Sequence, residues 1–111
     1  MMRVSRKVID EMAQRMVREV DPQRTLLFGS WVRGDARADS DVDLLVVERE
    51  PFGEQRGRRP EAARIWRCLS DFRMPTDILV YSVGEIEQWR GCRHHVIGKA
   101  LMEGKVLYQS D

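Results

Sequence analysis

Two aspartates that open an apolar strand constrain this chain more than any other feature. Asp41 and Asp43 stand two residues apart, just before the apolar run Leu44–Val47. Residues at this spacing on a strand point to the same face of a sheet. Two carboxylates on one face repel each other unless a cation compensates them. A divalent metal such as Mg²⁺, which prefers oxygen ligands, would serve, and ion pairs with Arg33 or Arg37 are the alternative.

A glycine–serine turn lies ten residues before this pair. The segment Thr25–Phe28 predicts a buried strand, and Gly29 and Ser30 follow it directly. Ser30 is predicted to cap a short helix over Trp31–Gly34. A helix N-terminus carries unpaired N–H groups and a partial positive charge that favour phosphate, and glycine allows close approach to the backbone. Arg33, one turn further on, is a candidate phosphate ligand.

A third carboxylate stands at the start of another predicted strand. Asp77 opens the segment Thr76–Tyr81 in the same way as Asp41 and Asp43 open theirs. If the two strands are neighbours, three carboxylates converge at one edge of the sheet. Such a triad can hold two Mg²⁺ ions that bridge the phosphates of a nucleoside triphosphate, and Asp77 could accept the proton of an attacking hydroxyl. Asp71 is a rival, but its place near a helix end favours a hydrated surface role.

Hydrophobic periodicity predicts the remaining elements and the fold class. An amphipathic helix runs to Val20 and is stopped by Pro22. Three further helices are predicted: one over residues 61–72, one that begins at Ser82 with a capping box to Glu85, and one around residues 96–101 that ends at Gly104. A short strand over residues 106–108 follows. Helices and strands alternate, which indicates an α/β (α+β) fold. The expected architecture is one domain over residues 1–111, with a small mixed β-sheet flanked by helices.

Composition and charge exclude several classes of protein. Charged residues make up 33% of the chain, but the net charge is only +1, which argues against direct nucleic-acid binding. No apolar run approaches the roughly 18 residues of a membrane-spanning helix, and the N-terminus lacks the apolar core of a signal peptide. Cys68 and Cys92 have no metal-ligand spacing and predict reduced thiols. A cytoplasmic location is the expectation.

The aromatic residues and the basic segment have ordinary structural interpretations. Residues 49–60 contain four arginines, two prolines and two glycines, and they predict a solvated, mobile connector rather than a site that grips RNA or phosphate. Trp66 and Trp89 occur at apolar helical spacing and are expected in the core. Trp31, beside the phosphate turn, is expected to pack, with stacking on an adenine as the alternative.

The combined motif resembles the signature of the minimal nucleotidyltransferases (MNT) of the DNA polymerase β superfamily. The resemblance covers nearly the whole chain, including the helix before TLLFGS, the third carboxylate in TDILVYS and the closing segment ALMEGKVLY. It implies a nucleotidyltransferase fold in which the triphosphate contacts are Gly29, Ser30 and Arg33. It also implies that the catalytic and Mg²⁺-binding residues are Asp41, Asp43 and Asp77, with two Mg²⁺ ions expected. Trp31 stands where many relatives carry arginine.

Many members of that family are antitoxins paired with a HEPN-type ribonuclease toxin. The resemblance therefore implies an enzyme that transfers AMP from ATP to a tyrosine hydroxyl of such a toxin. Two alternatives are an antitoxin that neutralises its partner by binding alone and a small-molecule nucleotidyltransferase. The latter usually carries a further domain, for which 111 residues leave little room unless a homo- or hetero-oligomer supplies the acceptor pocket.

Overall fold

The computed structural model describes residues 4–37 and 39–110, so predictions that include residues 1–3, Ala38 or Asp111 lie outside it at those positions. The helices are α1 (Arg6–Val20), α2 (Ser30–Arg33), α3 (Arg58–Cys68), α4 (Val83–Trp89) and α5 (Val96–Glu103). The strands are β1 (Arg24–Phe28), β2 (Val42–Glu48), β3 (Thr76–Ser82) and β4 (Lys105–Gln109), and a 3₁₀ turn, Ser70–Phe72, precedes β3.

The four strands form one mixed sheet in the order β3-β2-β1-β4. Strand β1 is antiparallel to both β2 and β4, whereas β2 and β3 run parallel. Because of these directions, β2 and β3 begin at the same edge of the sheet at which β1 ends. The predicted mixed sheet with flanking helices is confirmed, and this edge is the one that carries the predicted site residues.

The hydrophobic core lies on both faces of the central strand β2. Val42, Leu44 and Val46 pack with α1 and α3 on one face, which we call the first cluster. Leu45 and Val47 pack with α4 and α5 on the other face, in the second cluster. All five side chains are fully buried. The continuous apolar run of β2 therefore forms a strand that helices cover on both faces, as the sequence predicts.

Local capping signals set several of the helix boundaries. Ser5 caps α1 with its hydroxyl, and Asp21 ends the same helix in the left-handed conformation, with a φ of 46°. Ser82 and Glu85 form the predicted capping box at the start of α4. These side chains satisfy backbone groups that the first and last turns of a helix leave unpaired. Gly104 ends α5 as predicted, but in an extended conformation.

Helix α3 departs from its prediction. It begins at Arg58 instead of Glu61 and stops at Cys68, and the 3₁₀ turn completes the predicted segment through Phe72. The earlier start is possible because Pro60 falls in the first turn, where a backbone N–H has no helical partner. Trp66 is 57% exposed, so its predicted core position is wrong, whereas Trp89 packs with the second cluster as expected.

The segment that precedes α3 is not wholly solvated, contrary to the prediction. Arg56 donates to the Glu48 carboxylate at 2.5 Å, and Arg58 donates to the Val80 carbonyl oxygen at 2.9 Å and pairs with Glu85. Glu48 at the end of β2, Val80 in β3 and Glu85 in α4 supply these acceptors. Arginine heads that can reach buried acceptors therefore hold the connector against the sheet.

Within the part of the chain that the structure describes, no helix has both the length and the apolar character needed to cross a membrane.

Candidate active site

The predicted site residues meet at the edge where β2 and β3 begin. Asp43 and Asp77 are direct partners in the register of these two parallel strands. Phe28, the last residue of β1, is the partner of Asp43 on the other side, so Gly29 and Ser30 follow at the same edge. The predicted convergence of the two carboxylate-bearing strands is confirmed.

Both strand carboxylates lie on one face of the sheet. Asp43 alternates in step with Leu45 on β2, and Asp77 alternates in step with Leu79 on β3. Leu45 and Leu79 belong to the second cluster, so the carboxylates share the face that α4 and α5 cover. Asp41 precedes β2 and is exposed, as is Asp77, whereas Asp43 is half-buried. Asp43 is therefore the inner carboxylate of the three.

Asp43 has the electrostatic signature of a carboxylate that lacks compensation. Burial raises the pKa of Asp43, and the charges of Asp77 and Asp41 raise it further, while Arg33 opposes them. Burial and the two neighbouring negative charges disfavour the ionised form of Asp43, and only the charge of Arg33 favours it. A positive charge placed among these three side chains would remove the penalty.

The alternative interpretation, in which arginines neutralise the aspartates, is not what the structure contains. Arg33 pairs with Asp35 and Glu103, each at 3.5 Å. Arg37 contacts Ser40 through its backbone: the Arg37 N–H donates to the Ser40 hydroxyl at 2.7 Å, and the Arg37 carbonyl oxygen accepts from the Ser40 N–H at 3.0 Å. Among the ion pairs of the described residues, none includes a carboxylate of the predicted triad.

Only a glycine fits at position 29, because the Asp43 carboxylate lies against the backbone there; the same lack of a side chain would admit a phosphate. Its φ is +77°, a conformation that side-chain-bearing residues rarely adopt. A Cβ atom at this position would lie 2.1 Å from the Asp43 Oδ2 atom. Sequence reasoning found the glycine through its turn but missed this contact, because no local pattern reports which side chain crosses the turn. The glycine lets the inner carboxylate lie directly against the backbone of the turn.

Ser30 is the first residue of α2, and Gly29 is its N-cap, so the predicted capping role of Ser30 is wrong. The N–H groups of Val32 and Arg33 both donate to the Gly29 carbonyl oxygen, at 3.0 and 3.1 Å. The N–H groups at the very start of α2 have no partner inside the helix. They remain the candidate donors for an anion, on a helix only one turn long.

Two other candidates have structural roles. The Trp31 indole donates to the Ser40 carbonyl oxygen at 3.3 Å and packs with the first cluster, on the face opposite Asp43. Packing was the preferred prediction for Trp31, and it is confirmed. Asp71 is exposed and pairs with Arg15 at 2.7 Å, which agrees with its predicted surface role.

The chemistry of the carboxylates fits a hard divalent cation, although the structure does not preassemble the ligands. Within residues 4–37 and 39–110, no three Asp, Glu, His or Cys side chains are gathered closely enough to hold a metal ion. Asp43 is uncompensated, and the exposed Asp41 and Asp77 are close enough for their charges to raise its pKa. Three oxygen-donor groups of this kind suit Mg²⁺, which usually keeps several waters and uses few protein ligands.

Comparisons with known proteins identify chains of the same fold. The structure resembles a chain in the crystal structure of a toxin–antitoxin pair with AMP-PNP, with a TM-score of 0.60 and 17% sequence identity. The match covers 92% of this chain and 74% of that chain. The structure also resembles a putative nucleotidyltransferase from Sulfolobus solfataricus (TM-score 0.57, 19% identity, 93% of this chain and 78% of that chain). A third match is a complex of the tri-AMPylated Shewanella oneidensis HEPN toxin with its MNT antitoxin (0.55, 15%, 96% and 74%).

These identities are low, so the structural matches establish a shared fold. No curated protein matches the chain significantly. The family model of the nucleotidyltransferase domain matches residues 6–106, which include every predicted site residue. With the glycine turn and the paired carboxylates at one edge of its sheet, the chain belongs to the nucleotidyltransferase domain family.

Proposed function

We propose that this protein is a Mg²⁺-dependent nucleotidyltransferase that transfers AMP from ATP to a tyrosine hydroxyl of a HEPN-type toxin, and so acts as a cytoplasmic antitoxin. The observation that carries the proposal is the uncompensated carboxylate of Asp43, which lies beside Asp77 and against the Gly29 turn. Structures of similar fold include a toxin–antitoxin complex with AMP-PNP and one with a tri-AMPylated HEPN toxin, which supports the choice of nucleotide and acceptor.

The proposed reaction is a displacement at the α-phosphorus of ATP. The acceptor oxygen forms a bond to this phosphorus, the bond to the bridging oxygen of the β-phosphate breaks, and pyrophosphate leaves. Asp77 would accept the proton of the hydroxyl, while Gly29, Ser30 and Arg33 would hold the triphosphate. Mg²⁺ bound by the three aspartates would supply positive charge to the phosphates.

The exposure of the outer carboxylates supports a macromolecular acceptor. Asp77 lies on β3, an edge strand of the sheet, and its side chain is exposed. A tyrosine on the surface of a partner protein can reach such a position without entering a deep cavity. A small-molecule acceptor would instead need walls around it, which a second subunit would have to supply.

The non-catalytic alternative is disfavoured by the energetics of Asp43. A half-buried carboxylate with two acidic neighbours and a raised pKa opposes folding at neutral pH. A protein that neutralises its partner by docking alone has no physical need for such a group. The cost is understandable if the carboxylates bind a cation during the reaction.

The test uses ATP labelled at either the α- or the γ-phosphate, together with Mg²⁺ and a purified HEPN-type toxin. The wild-type protein is compared with the Asp41→Asn/Asp43→Asn double variant, and both are checked for folding and for binding to the toxin. The expected result is stable α-label on the toxin, no γ-label, and no transfer by the double variant. Mapping of the modified peptide then identifies the acceptor hydroxyl.

Other outcomes would replace the proposal. Label on a small metabolite of a cell extract, with none on protein, would identify a small-molecule nucleotidyltransferase. Absence of any transfer, combined with neutralisation of the toxin by both the wild type and the double variant, would identify an antitoxin that acts by binding alone.

A further inference from the structure

A second acidic cluster lies at the opposite end of β2 from Asp43. Glu48, the last residue of that strand, is only 4% exposed. Its Oε1 atom accepts a hydrogen bond from Arg56 Nη2 at 2.5 Å. Its Oε2 atom is also buried and, among the described residues, has no hydrogen-bond partner. A buried carboxylate oxygen without a donor is costly, so this atom needs an explanation.

Several charged groups face Glu48 from the neighbouring elements. Arg56 Nη2 lies 3.9 Å from the Glu61 carboxylate of α3, and Arg56 Nε lies 3.4 Å from Glu50. Arg64, also on α3, pairs with Glu61 at 3.8 Å and with Glu19 of α1 at 3.4 Å. Glu61 shares both of its arginine partners with other acids, so Glu48 and Glu61 compete for limited positive charge.

All of these groups except Glu19 line a cavity of about 520 Å³ between α1, the end of β2 and α3. Asp21 and Arg49 form its other charged walls. Arg49 is committed elsewhere, because its guanidinium donates to the Asp21 carbonyl oxygen at 2.9 Å and to the Ser110 hydroxyl. Arg49 is therefore not positioned by these contacts to neutralise Glu48.

We propose that Glu48 and Glu61 share one proton, and that this proton, together with Arg56, forms a pH-sensitive latch that holds residues 49–57 and the start of α3 against β2. The proton would lie between the Glu48 Oε2 atom and a Glu61 oxygen. It gives the buried oxygen a hydrogen bond and removes one negative charge from a cluster in which four glutamates share Arg56 and Arg64.

The electrostatics of the cluster agree with a shared proton. Burial raises the pKa of Glu48 to about 7, Glu61 acts in the same direction as the partner in a hydrogen bond to the protonated carboxyl and as a negative charge, and Arg56 opposes them. In the unfolded chain the carboxyl has its ordinary value of 4.5. The contribution of Glu48 to stability is therefore present at acidic pH and is lost as the pH rises through about 7.

The latch predicts a local consequence near neutral pH. When the proton is lost, the buried end of β2 carries an additional negative charge beside Glu61, and the hold on residues 49–57 weakens. Asp43 is five residues away on the same strand, about 16 Å at the usual rise per residue, so the active-site edge need not change. The expected response is opening of the connector with the sheet intact.

The experiment compares thermal unfolding of the wild type, Glu48→Gln and Glu50→Gln from pH 5 to pH 8.5. Glutamine keeps the acceptor for Arg56 and can donate to Glu61, but it does not titrate. Glu50→Gln is the matched control, because Glu50 also faces Arg56 but its side chain is 79% exposed. The melting temperature of the wild type and of Glu50→Gln should fall by several degrees across this range relative to Glu48→Gln.

A local readout separates a latch from a general effect. Hydrogen exchange in residues 49–57, compared between the wild type and Glu48→Gln at each pH, should diverge as the pH rises toward about 7 and remain different above it, and only in this segment. Glu61→Gln should also abolish the pH dependence of hydrogen exchange in residues 49–57. It provides a second variant if Glu48→Gln folds poorly. Identical pH profiles for the wild type and Glu48→Gln would overturn the proposal, as would a Glu48 carboxyl that titrates near its ordinary pKa by nuclear magnetic resonance.

Discussion

Each end of β2 carries an acid that is at least half-buried, but among the described residues only one of the two acids forms an ion pair with an arginine. At the carboxyl end, Glu48 is 4% exposed and contacts Arg56 at 2.5 Å. At the amino end, Asp43 is half-buried with Asp77 as its strand partner, and no ion pair of the described residues includes it. Arg33, whose charge lowers the pKa of Asp43, pairs with Asp35 and Glu103 instead.

This difference separates an acid paired inside the fold from an acid that we propose binds a cation. A buried charge with its own counter-ion is part of the fold, and removal of the counter-ion leaves an expensive unpaired group. A charge without a counter-ion opposes folding until a cation binds. The same strand therefore provides an internal control, because each end can be tested for its effect on stability and on activity.

Removal of the carboxylates at the amino end should have the largest effect. We expect Asp43→Asn and Asp77→Asn each to lower nucleotidyl transfer by about 100-fold or more, since charge stabilisation and proton acceptance dominate such reactions. Initial rates of AMP transfer provide the measurement. The control Asp35→Asn removes an exposed acid of the same region and should retain most activity. Equal losses in all three variants would contradict the assignment.

Removal of the counter-ion at the carboxyl end should mainly lower stability. Arg56→Met leaves Glu48 buried without its partner, which should cost about 3 kcal/mol in the free energy of unfolding at pH 7.5. Urea unfolding measures this cost, and Arg90→Met, which removes an exposed pair with Glu87, should cost less than about 0.5 kcal/mol. The comparison between the two strand ends would fail if Arg56→Met were as mild as its control.

Gly29→Ala should be more harmful than Gly34→Ala, although both glycines have a positive φ. A Cβ atom meets nothing within 4 Å at Gly34 but meets the Asp43 carboxylate at Gly29. We expect a loss of about 1 kcal/mol of stability at Gly34 from backbone strain, and roughly 2 kcal/mol or more at Gly29. Transfer activity should fall strongly only in Gly29→Ala. Similar activity in the two variants would show that the position of the Asp43 carboxylate is not critical.

The smallest effect concerns stability at the amino end. Because the folded state raises the pKa of Asp43, its protonated form is favoured on folding, and this contribution is lost as the pH rises above the ordinary value of 3.8. Asp43→Asn should therefore melt about 2 °C above the wild type at pH 7 without divalent cations. Added Mg²⁺ should raise the melting temperature of the wild type and leave Asp43→Asn unchanged. A Mg²⁺ effect of equal size in both proteins would place the cation elsewhere.

Much of the fold follows from local patterns. The buried strand β2 is evident from its apolar run, and the start of α4 is evident from the Ser82–Glu85 capping box. Predictions failed where a contact between distant segments decided the outcome. Arg58 was assigned to a solvated loop, but its acceptors are on β3 and α4. Trp66 has apolar helical spacing, but the register of α3 turns its neighbour Ile65 to the core.

By itself, the sequence determined the type and spacing of the acids at the edge of the candidate site, because alternation along a strand is a local property of the backbone. It also determined the turn that precedes them, because only glycine readily adopts the required φ. Only the tertiary structure decided that Asp43 and Asp77 are partners, that Arg33 binds Asp35 and Glu103, and that Gly29 lies against Asp43. Those relations depend on strand order and packing between segments that are distant in sequence, which no local pattern specifies.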